Sequence, residues 1–414
     1  MPRHCTRSLS SGLADVLTHS LDRRRVAAGM MGAALGGAAL AHGGTARAAR
    51  RPKASAGSPR EALESLLALV PASVATQAVP GGYLFYHADL QAQFAALGIG
   101  RSEPGWQDSV HLATLSLALV SPLFRFRRVD VVETTLGFVP MEADRALETG
   151  MPPESLSLFQ GAFDRERMEA AWEATGYQQV PLDEGGVLWT VGEEGEFDAK
   201  HPLAAVSPGA FNNLILLDDE TLAISRKGVT ARAMAQQMAA GGSSMLDMPH
   251  VGEAIRSLLP ETASSMLVSG EVLVPRGVPD LTATGDEPEM PAAAMAIFGV
   301  EAGFEGVPVD TSSETTVLPG DTPVAEVKRT QARLTMRSAE DAAVAVEVAA
   351  ERWETLDSLV NGEPYNDLML LLDAEVSADE PTVAAFDFDQ GSAGNRWVNL
   401  VSAQDLLPFA PGAM

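Results

Sequence analysis

The chain of 414 residues contains a single cysteine, Cys5, and this residue lies close to the N-terminus. The rest of the chain therefore has no disulfide, no thiol nucleophile, no thiolate metal ligand and no iron–sulfur cluster. Any fold must then be held together by a packed apolar core. The composition allows such a core, because 46% of the residues are hydrophobic and the mean hydropathy is +0.05. This composition excludes a disordered, collagenous or disulfide-stapled chain.

The N-terminus has the pattern of a secretory leader. Arg23, Arg24 and Arg25 precede an uncharged run rich in Ala, Gly and Met over residues 26–40. The paired arginines and the weakly hydrophobic run resemble a twin-arginine signal, which implies export of the folded precursor by the twin-arginine machinery. Asp22 departs from that signal, which usually has Ser or Thr at this position. The alternatives are an ordinary secretory leader and a membrane anchor, although about 15 apolar residues are fewer than the ~20 of a spanning helix.

A small residue recurs at Ala46 and Ala48, and this spacing predicts cleavage after Ala48. Cleavage removes six arginines and two aspartates and leaves 23 basic and 53 acidic residues, with a net charge of −30. Such an acidic surface repels phosphate groups, so a nucleic-acid partner is excluded. No later apolar run is long enough to span a membrane, so no transmembrane anchor is predicted in the mature chain. We expect a soluble protein exported to the periplasm, the cell wall or the exterior.

Capped helices alternate with short strands along the mature chain. Ser58 followed by Pro59 and Glu61 predicts a helix start with a capping box, and Ser338 predicts the start of a long helix. Short apolar runs bounded by turn residues predict strands between the helices, including one over residues 266–274 and one over residues 397–401. The sequence therefore predicts an α+β fold, with mixed or antiparallel sheet and packed helices.

Several landmarks recur at similar distances in the two halves of the mature chain. Pro71 and Pro260 each end a helix, and Trp172 and Trp353 each lie on a later helix. This pattern indicates two similar α+β subdomains related by a tandem duplication, although two unrelated domains would give much the same pattern. The predicted organisation is a signal peptide, a linker and two subdomains at residues 1–48, 49–57, 58–244 and 245–414.

No linear motif in the mature chain nominates a catalytic group or a covalent cofactor. Its four histidines, His87, His111, His201 and His250, share no zinc-site spacing. There is no nucleophile elbow, no Walker loop and no dinucleotide-binding glycine motif. A Ser–His–Asp triad needs no fixed order in the sequence and stays open.

Two weak patterns could hold a metal ion. Met245, Met248 and His250 offer thioether and imidazole ligands, which suit copper, although methionine is also an ordinary core residue. Asp387, Asp389 and Asn395 offer oxygens around a glycine turn, which suit calcium. The simpler interpretation of the second pattern is a hairpin turn at the end of a strand.

These observations favour a non-catalytic binding or interaction protein of the cell envelope or exterior. Its partner would be an envelope protein or a small ligand. One alternative is an extracytoplasmic solute or metal-ion binding protein, which would have a closed pocket between the two halves. The other is a secreted hydrolase that uses carboxylates, which would have two acids in a cleft with a perturbed pKa. An interaction protein would instead expose an apolar patch.

Overall fold

Twelve antiparallel strands and ten α-helices form the part of the protein that the computed structural model describes. These elements confirm the α+β class. The described residues belong to one compact unit, Arg50–Met414. They are residues 57–75, 83–96, 100–101, 129–150, 155–183, 185–192, 198–205, 209–274, 289–301, 329–389 and 396–412.

All twelve strands belong to one sheet, whose order is β11-β12-β10-β9-β8-β1-β2-β3-β7-β6-β5-β4. Every pairing between neighbours is antiparallel. The strands are β1 Tyr83–Asp89, β2 Arg145–Thr149, β3 Leu156–Gln160, β4 Gln178–Pro181, β5 Val187–Thr190, β6 Asn213–Leu216, β7 Thr221–Ser225, β8 Thr262–Ser269, β9 Met295–Glu301, β10 Arg329–Thr335, β11 Leu370–Val376 and β12 Val383–Asp389.

Two helices begin at the capping residues that the sequence indicates. The side chain of Ser58 accepts a hydrogen bond from the backbone N–H of Glu61, and the Glu61 carboxylate accepts one from Ser58 N–H. Ser338 caps the longest helix in the same way through Asp341 N–H. Within the described residues, no helix is both long and apolar enough to cross a membrane. The helices are α1 Pro59–Leu69, α2 Ala72–Ala75, α3 Leu90–Ala96, α4 Val129–Leu136, α5 Arg165–Ala174, α6 Gly228–Ala240, α7 Val251–Arg256, α8 Ala339–Thr355, α9 Tyr365–Leu368 and α10 Arg396–Ala403.

The sheet is packed against helices on both faces. Face A, which carries Leu147, Leu158 and Leu267, packs against α1, α6 and α7. Face B packs against α3, α4 and α5 in the first half of the sheet. In the second half it packs against α8 and α10. Because successive residues of a strand point to opposite faces, this arrangement follows from the apolar residues on both sides of the central strands.

The two halves of the sheet share part of their order of elements, although the first half has seven strands and the second has five. Three strands (β1 to β3 or β8 to β10) are followed by a helix (α5 or α8), and the last strand of the half then pairs with the third (β7 with β3, β12 with β10). This order favours the predicted duplication. The predicted boundary at residue 244 also stays a prediction, but the sheet continues across it, because β1 pairs with β8. The backbone of Met245 also donates to Val70 O at 2.7 Å.

Two local predictions from the sequence are wrong, and one strand was not predicted. Residues 397–401 lie in α10 rather than in a strand, because Trp397, Leu400 and Val401 form one buried helical face. The strand predicted to continue to Val274 ends at Ser269, and a 3-10 helix follows it. The strand that pairs with the outer side of β12 is β11, which the sequence does not indicate. Its exposed residues and its bulge after Leu371 break the alternation that marks a strand.

Candidate functional site

Charged side chains cover face A of the last four strands of the second half, β9, β10, β12 and β11. The register places Arg329 directly opposite Asp389, and Asp387 directly opposite Asp373. Side chains at such opposed positions lie about 5 Å apart at Cβ. We call this surface the charged face. Its charged members are Glu301, Arg329, Arg333, Asp373, Glu375, Asp387 and Asp389.

Arg333 is the central group of the charged face, and only 3% of this residue is exposed. A guanidinium has five N–H donors, and all five are used. Nε donates to Ser257 O at 2.9 Å, and Nη1 donates to Ala332 O and Phe386 O at 3.1 and 2.7 Å. Nη2 donates to Gln331 Oε1 at 3.2 Å and to Asp387 Oδ1 at 2.6 Å. Burial lowers the pKa of Arg333, and the carboxylates of Asp387, Glu375 and Asp373 oppose that effect.

The Arg333–Asp387 ion pair bears on the predicted calcium site. Asp387 balances the charge of Arg333, and Asp389 lies two residues further along the same strand. Asn395 lies outside the described residues. Where the structure describes the chain, no three His, Cys, Asp or Glu side chains are grouped as a metal site would require. The structure therefore places Asp387 and Asp389 on one face, and the calcium prediction stays a prediction.

Glu301, at the end of β9, has a raised pKa. Its half-buried position is the main cause, and the negative charges of Glu261 and Asp387 add to it. Arg329 has the opposite effect and lowers the pKa. Two carboxyl groups of the charged face therefore differ in environment, because Asp387 has a buried cation as its partner and Glu301 is partly desolvated.

Helix α7 packs over β9 and β10, which form one side of the charged face. Arg333 donates to Ser257 O just beyond the end of α7, and Arg60 donates to Arg256 O and Leu258 O at 2.9 and 2.8 Å. Two cations thus satisfy carbonyl groups at the negative end of the helix. Arg256 also forms an ion pair with Glu380 at 2.5 Å, in the turn between β11 and β12. These contacts fix the position of α7 on the sheet.

Exposed apolar side chains are concentrated in one stretch of the second half. Leu370 and Leu372, on β11, are 50% and 43% exposed, and Leu359 and Val360, in the loop before α9, are 55% and 61% exposed. Three other large apolar residues among those described are exposed: Val229, Met238 and Val274. Four of these seven side chains therefore fall within residues 359–372.

The loop that carries Leu359 and Val360 is fixed by a buried carboxylate, Asp405. Its oxygens accept the backbone N–H groups of Leu359 and Val360 at 3.0 and 3.2 Å. They also accept the hydroxyl of Ser358 at 2.5 Å and that of Tyr365. Four donors compensate the desolvation of this fully buried carboxylate. The exposed apolar pair is thus held outward by a defined backbone conformation.

The predicted copper ligands differ in their exposure. Met245 is fully buried, with its sulfur 4.0 Å from Thr149 Oγ1, and Met248 packs against the same core. The ring of His250 is half-exposed, with Nδ1 3.3 Å from Glu253 Oε2. The copper prediction stays a prediction.

An open groove of about 340 Å³ lies apart from the charged face, between α2 and the end of α6. The described residues that line it are small or uncharged, including Ser73, Gln236, Gln237 and Ser243, and none of them is titratable. The signal-peptide residues Arg23, Arg24, Arg25, Ala46 and Ala48 lie outside the described residues.

A search of protein families finds no matching family model, and searches of curated proteins and of solved structures find no match. The charged face therefore has to be interpreted from its own chemistry.

Sequence reasoning missed most of the charged face, although a signal for it exists. Every second residue is charged or an amide at Arg329, Gln331 and Arg333, and Asp387 and Asp389 flank Phe388. A period of two places such residues on one face of a strand. The pattern therefore indicates a polar face, but it does not indicate which strands become neighbours.

Proposed function

We propose that this protein is an exported, acidic, non-catalytic binding protein of the cell envelope or exterior. The leader resembling a twin-arginine signal and the net charge of the mature chain support the location. One structural observation carries the binding role. Exposed large apolar side chains are concentrated within residues 359–372.

An apolar pair held outward is costly to leave in water. The backbone of Leu359 and Val360 is fixed by Asp405, so the loop cannot turn these side chains inward without losing those hydrogen bonds. Contiguous exposed apolar groups with polar neighbours are typical of protein interaction sites. Together these features support a partner that covers Leu359, Val360, Leu370 and Leu372.

Native mass spectrometry of the protein purified from the envelope or medium of its native host tests this proposal. We expect the mass of a chain that begins at Ala49, together with the added mass of a bound protein. In the variant Leu359→Ser/Val360→Ser the added mass should be lost. In the matched control Val229→Ser/Met238→Ser, which alters exposed apolar residues of α6, it should remain. A bare wild-type chain, or one that retains only a small molecule or a metal, would contradict the proposal.

A carboxylate-dependent hydrolase is the second candidate, and the raised pKa of Glu301 near Asp387 favours it. A hydrolase needs one carboxyl that holds a proton and one that stays ionised. Hydrolysis of ester or glycoside test substrates by the wild type, lost in Glu301→Gln and retained in Glu261→Gln, would support this candidate. The absence of hydrolysis in the wild type would leave the binding role as the better supported proposal.

A further inference from the structure

We propose that the charged face, over β12 and β11, is a docking site for a basic amphipathic helix of a partner protein. This inference rests on the proposed binding function and names the chemistry of its partner. Three features support it: the space above these two strands, their charge and the condition of the sheet edge.

The first half of the sheet shows which kind of element can cover face A. There, α6 covers face A of the strands β5, β6 and β7. In the second half, α7 covers face A of β9 and β10, and no described helix covers β12 and β11 on that face. Two strands and their outer margin are about 10 Å wide, and seven residues of strand are about 24 Å long. A single helix is about 10–12 Å in diameter, so one helix fits.

The charge of the surface selects a basic occupant. Asp373 and Glu375 are exposed on β11, and Asp387 and Asp389 stand on β12 beside them. Arg329 stands opposite Asp389 and Arg333 pairs with Asp387, so these two cations offset two of the four charges and leave those of Asp373 and Glu375. Arg333 has already used all five of its donors. The segment 302–328 of the same chain contains five acidic residues and one lysine, so its charge has the same sign as the surface. A partner helix with lysine or arginine side chains has the complementary charge.

The backbone of the edge strand β11 favours a helix that lies on the face over a strand that pairs with β11. The backbone N–H of Leu371 donates to Asn366 Oδ1 at 3.1 Å, and that of Ala374 donates to Asp373 Oδ1 at 2.9 Å. A β-bulge follows Leu371. Groups already bonded to side chains are not available to pair with a new strand. The exposed Leu370 and Leu372 instead offer apolar contact to the edge of a helix lying on the face.

Binding of a defined peptide tests the proposal. The probe is an amphipathic peptide of leucine and lysine, about 18 residues long so that as a helix it spans the strands, titrated into the purified protein by isothermal calorimetry at low salt. We expect saturable binding with one peptide per chain, and a gain of helical circular dichroism on mixing. Asp373→Asn/Glu375→Gln should weaken binding about fivefold to tenfold, since two charge contacts are lost. The asparagine side chain keeps an oxygen that can accept Ala374 N–H.

The matched control removes the same charge from another exposed surface. Glu347→Gln/Glu351→Gln lies on α8, which packs on face B, and both glutamates are exposed. This pair should change the affinity by less than twofold. If both pairs weaken binding equally, the peptide responds only to the overall negative charge, and the proposal is wrong. New hydrogen-exchange protection of the outer backbone of β11 would indicate an added strand, and it would also overturn the proposal.

Failure of this inference can be separated from failure of the proposed function. A native complex that survives Asp373→Asn/Glu375→Gln but not Leu359→Ser/Val360→Ser would retain the binding function and reject the charged face as its site. A bare native chain would reject both.

Discussion

The two halves of the sheet share three strands, a helix and a last strand in the same order, but they are stabilised differently. In the first half, described helices cover both faces, with α6 on face A and α5 on face B. In the second half, described helices leave face A of β12 and β11 uncovered, and the core on face B contains a dense group of aromatic rings. Trp353 lies at its centre, with four rings at centroid distances of 4.5–5.9 Å: Phe388, Tyr365, Phe409 and Trp397.

The comparison shows that similar strands and helices can form a sheet that is apolar on both faces or a sheet that is charged on one face. In the first half, apolar residues on both faces of the strands exclude water from each side of the sheet. In the second half, the packing of face B has to hold the strands in place, so that face A can carry charge. The aromatic cluster of face B is therefore expected to contribute more to stability than its counterpart, the Trp172–Trp189 pair of the first half.

The largest expected effect comes from removing the central ring of the second half. Trp353→Ala should lower the free energy of unfolding by about 4–5 kcal/mol, because it leaves a cavity among four rings and frees Met369 O from its 2.9 Å hydrogen bond. Trp172→Ala loses a similar hydrogen bond, to Leu136 O at 3.0 Å, but should cost only about 3 kcal/mol, since Trp172 contacts one other ring among the described residues. Urea unfolding of both variants measures the difference. An equal loss in the two variants would show that the halves do not differ in this way.

The next effect concerns the ion pairs of the two halves. Arg333→Met should cost about 3 kcal/mol, because Asp387 and four carbonyl or amide oxygens lose a buried donor. Arg145→Met in the first half should cost about 1–2 kcal/mol, since Arg145 donates to Asp89 alone at 3.1 Å in the described structure. The urea midpoints at constant m-value give both numbers. A larger loss from Arg145→Met would contradict the central role assigned to Arg333.

A pH-dependent effect is expected where the two halves meet. His87, on β1, is 2% exposed, and neither of its ring nitrogens has a hydrogen-bond partner among the described residues. Burial lowers its pKa to about 4, with smaller effects from Asp89, which raises it, and Arg145, which lowers it. Because the unfolded chain takes up this proton near pH 6.5, the contribution of His87 to stability falls as the pH drops from about 6.5 to 4, by about 3 kcal/mol in total.

The control for this titration is His87→Leu, which has no proton to bind. The difference in unfolding free energy between wild type and variant should change by about 1.4 kcal/mol per pH unit between about pH 6 and pH 4.5, and should be constant above about pH 7. A difference that stays constant over the whole range would reject a neutral, buried His87.

The smallest effect concerns the two outer edges of the sheet. At one edge, β4 ends in Pro181, which has no backbone N–H to offer. At the other edge, Asn366 Oδ1 accepts a hydrogen bond from Leu371 N–H. Asn366→Ala should cost less than about 1 kcal/mol in stability. It should also promote self-association, visible as a concentration-dependent sedimentation coefficient. Asn361→Ala, in the preceding loop, is the control and should leave the sedimentation unchanged.

Local features of this fold were predictable from the sequence, because their causes are local. Ser58 and Ser338 bond to backbone groups three residues away, so their helices begin where the sequence indicates. The hairpin of β6 and β7 also follows from two apolar runs around Asp218 and Asp219. Such elements need no knowledge of the rest of the chain.

The charged face was not predictable, because its causes are distant in sequence. Arg333 meets Asp387 and Ser257, which are more than 50 residues away in either direction. The strand β11 is largely exposed, and the few residues of α10 are too short a stretch to separate the helical period from that of a strand. Of the predicted metal ligands on this face, Asp387 has a cationic partner that no local pattern reveals.

The pairing of β1 with β8 also determines when the sheet can be completed during synthesis. Tyr86 lies opposite Met266, about 180 residues later in the chain. At about 5–20 residues per second, a ribosome needs roughly 10–35 s to make that length of chain. Through this interval one side of β1 has no partner strand, and the first half presents an open edge to chaperones and to other nascent chains. The pairing of β1 with β8 therefore forms late in synthesis. Any export route that takes only folded protein can act only after this pairing has formed.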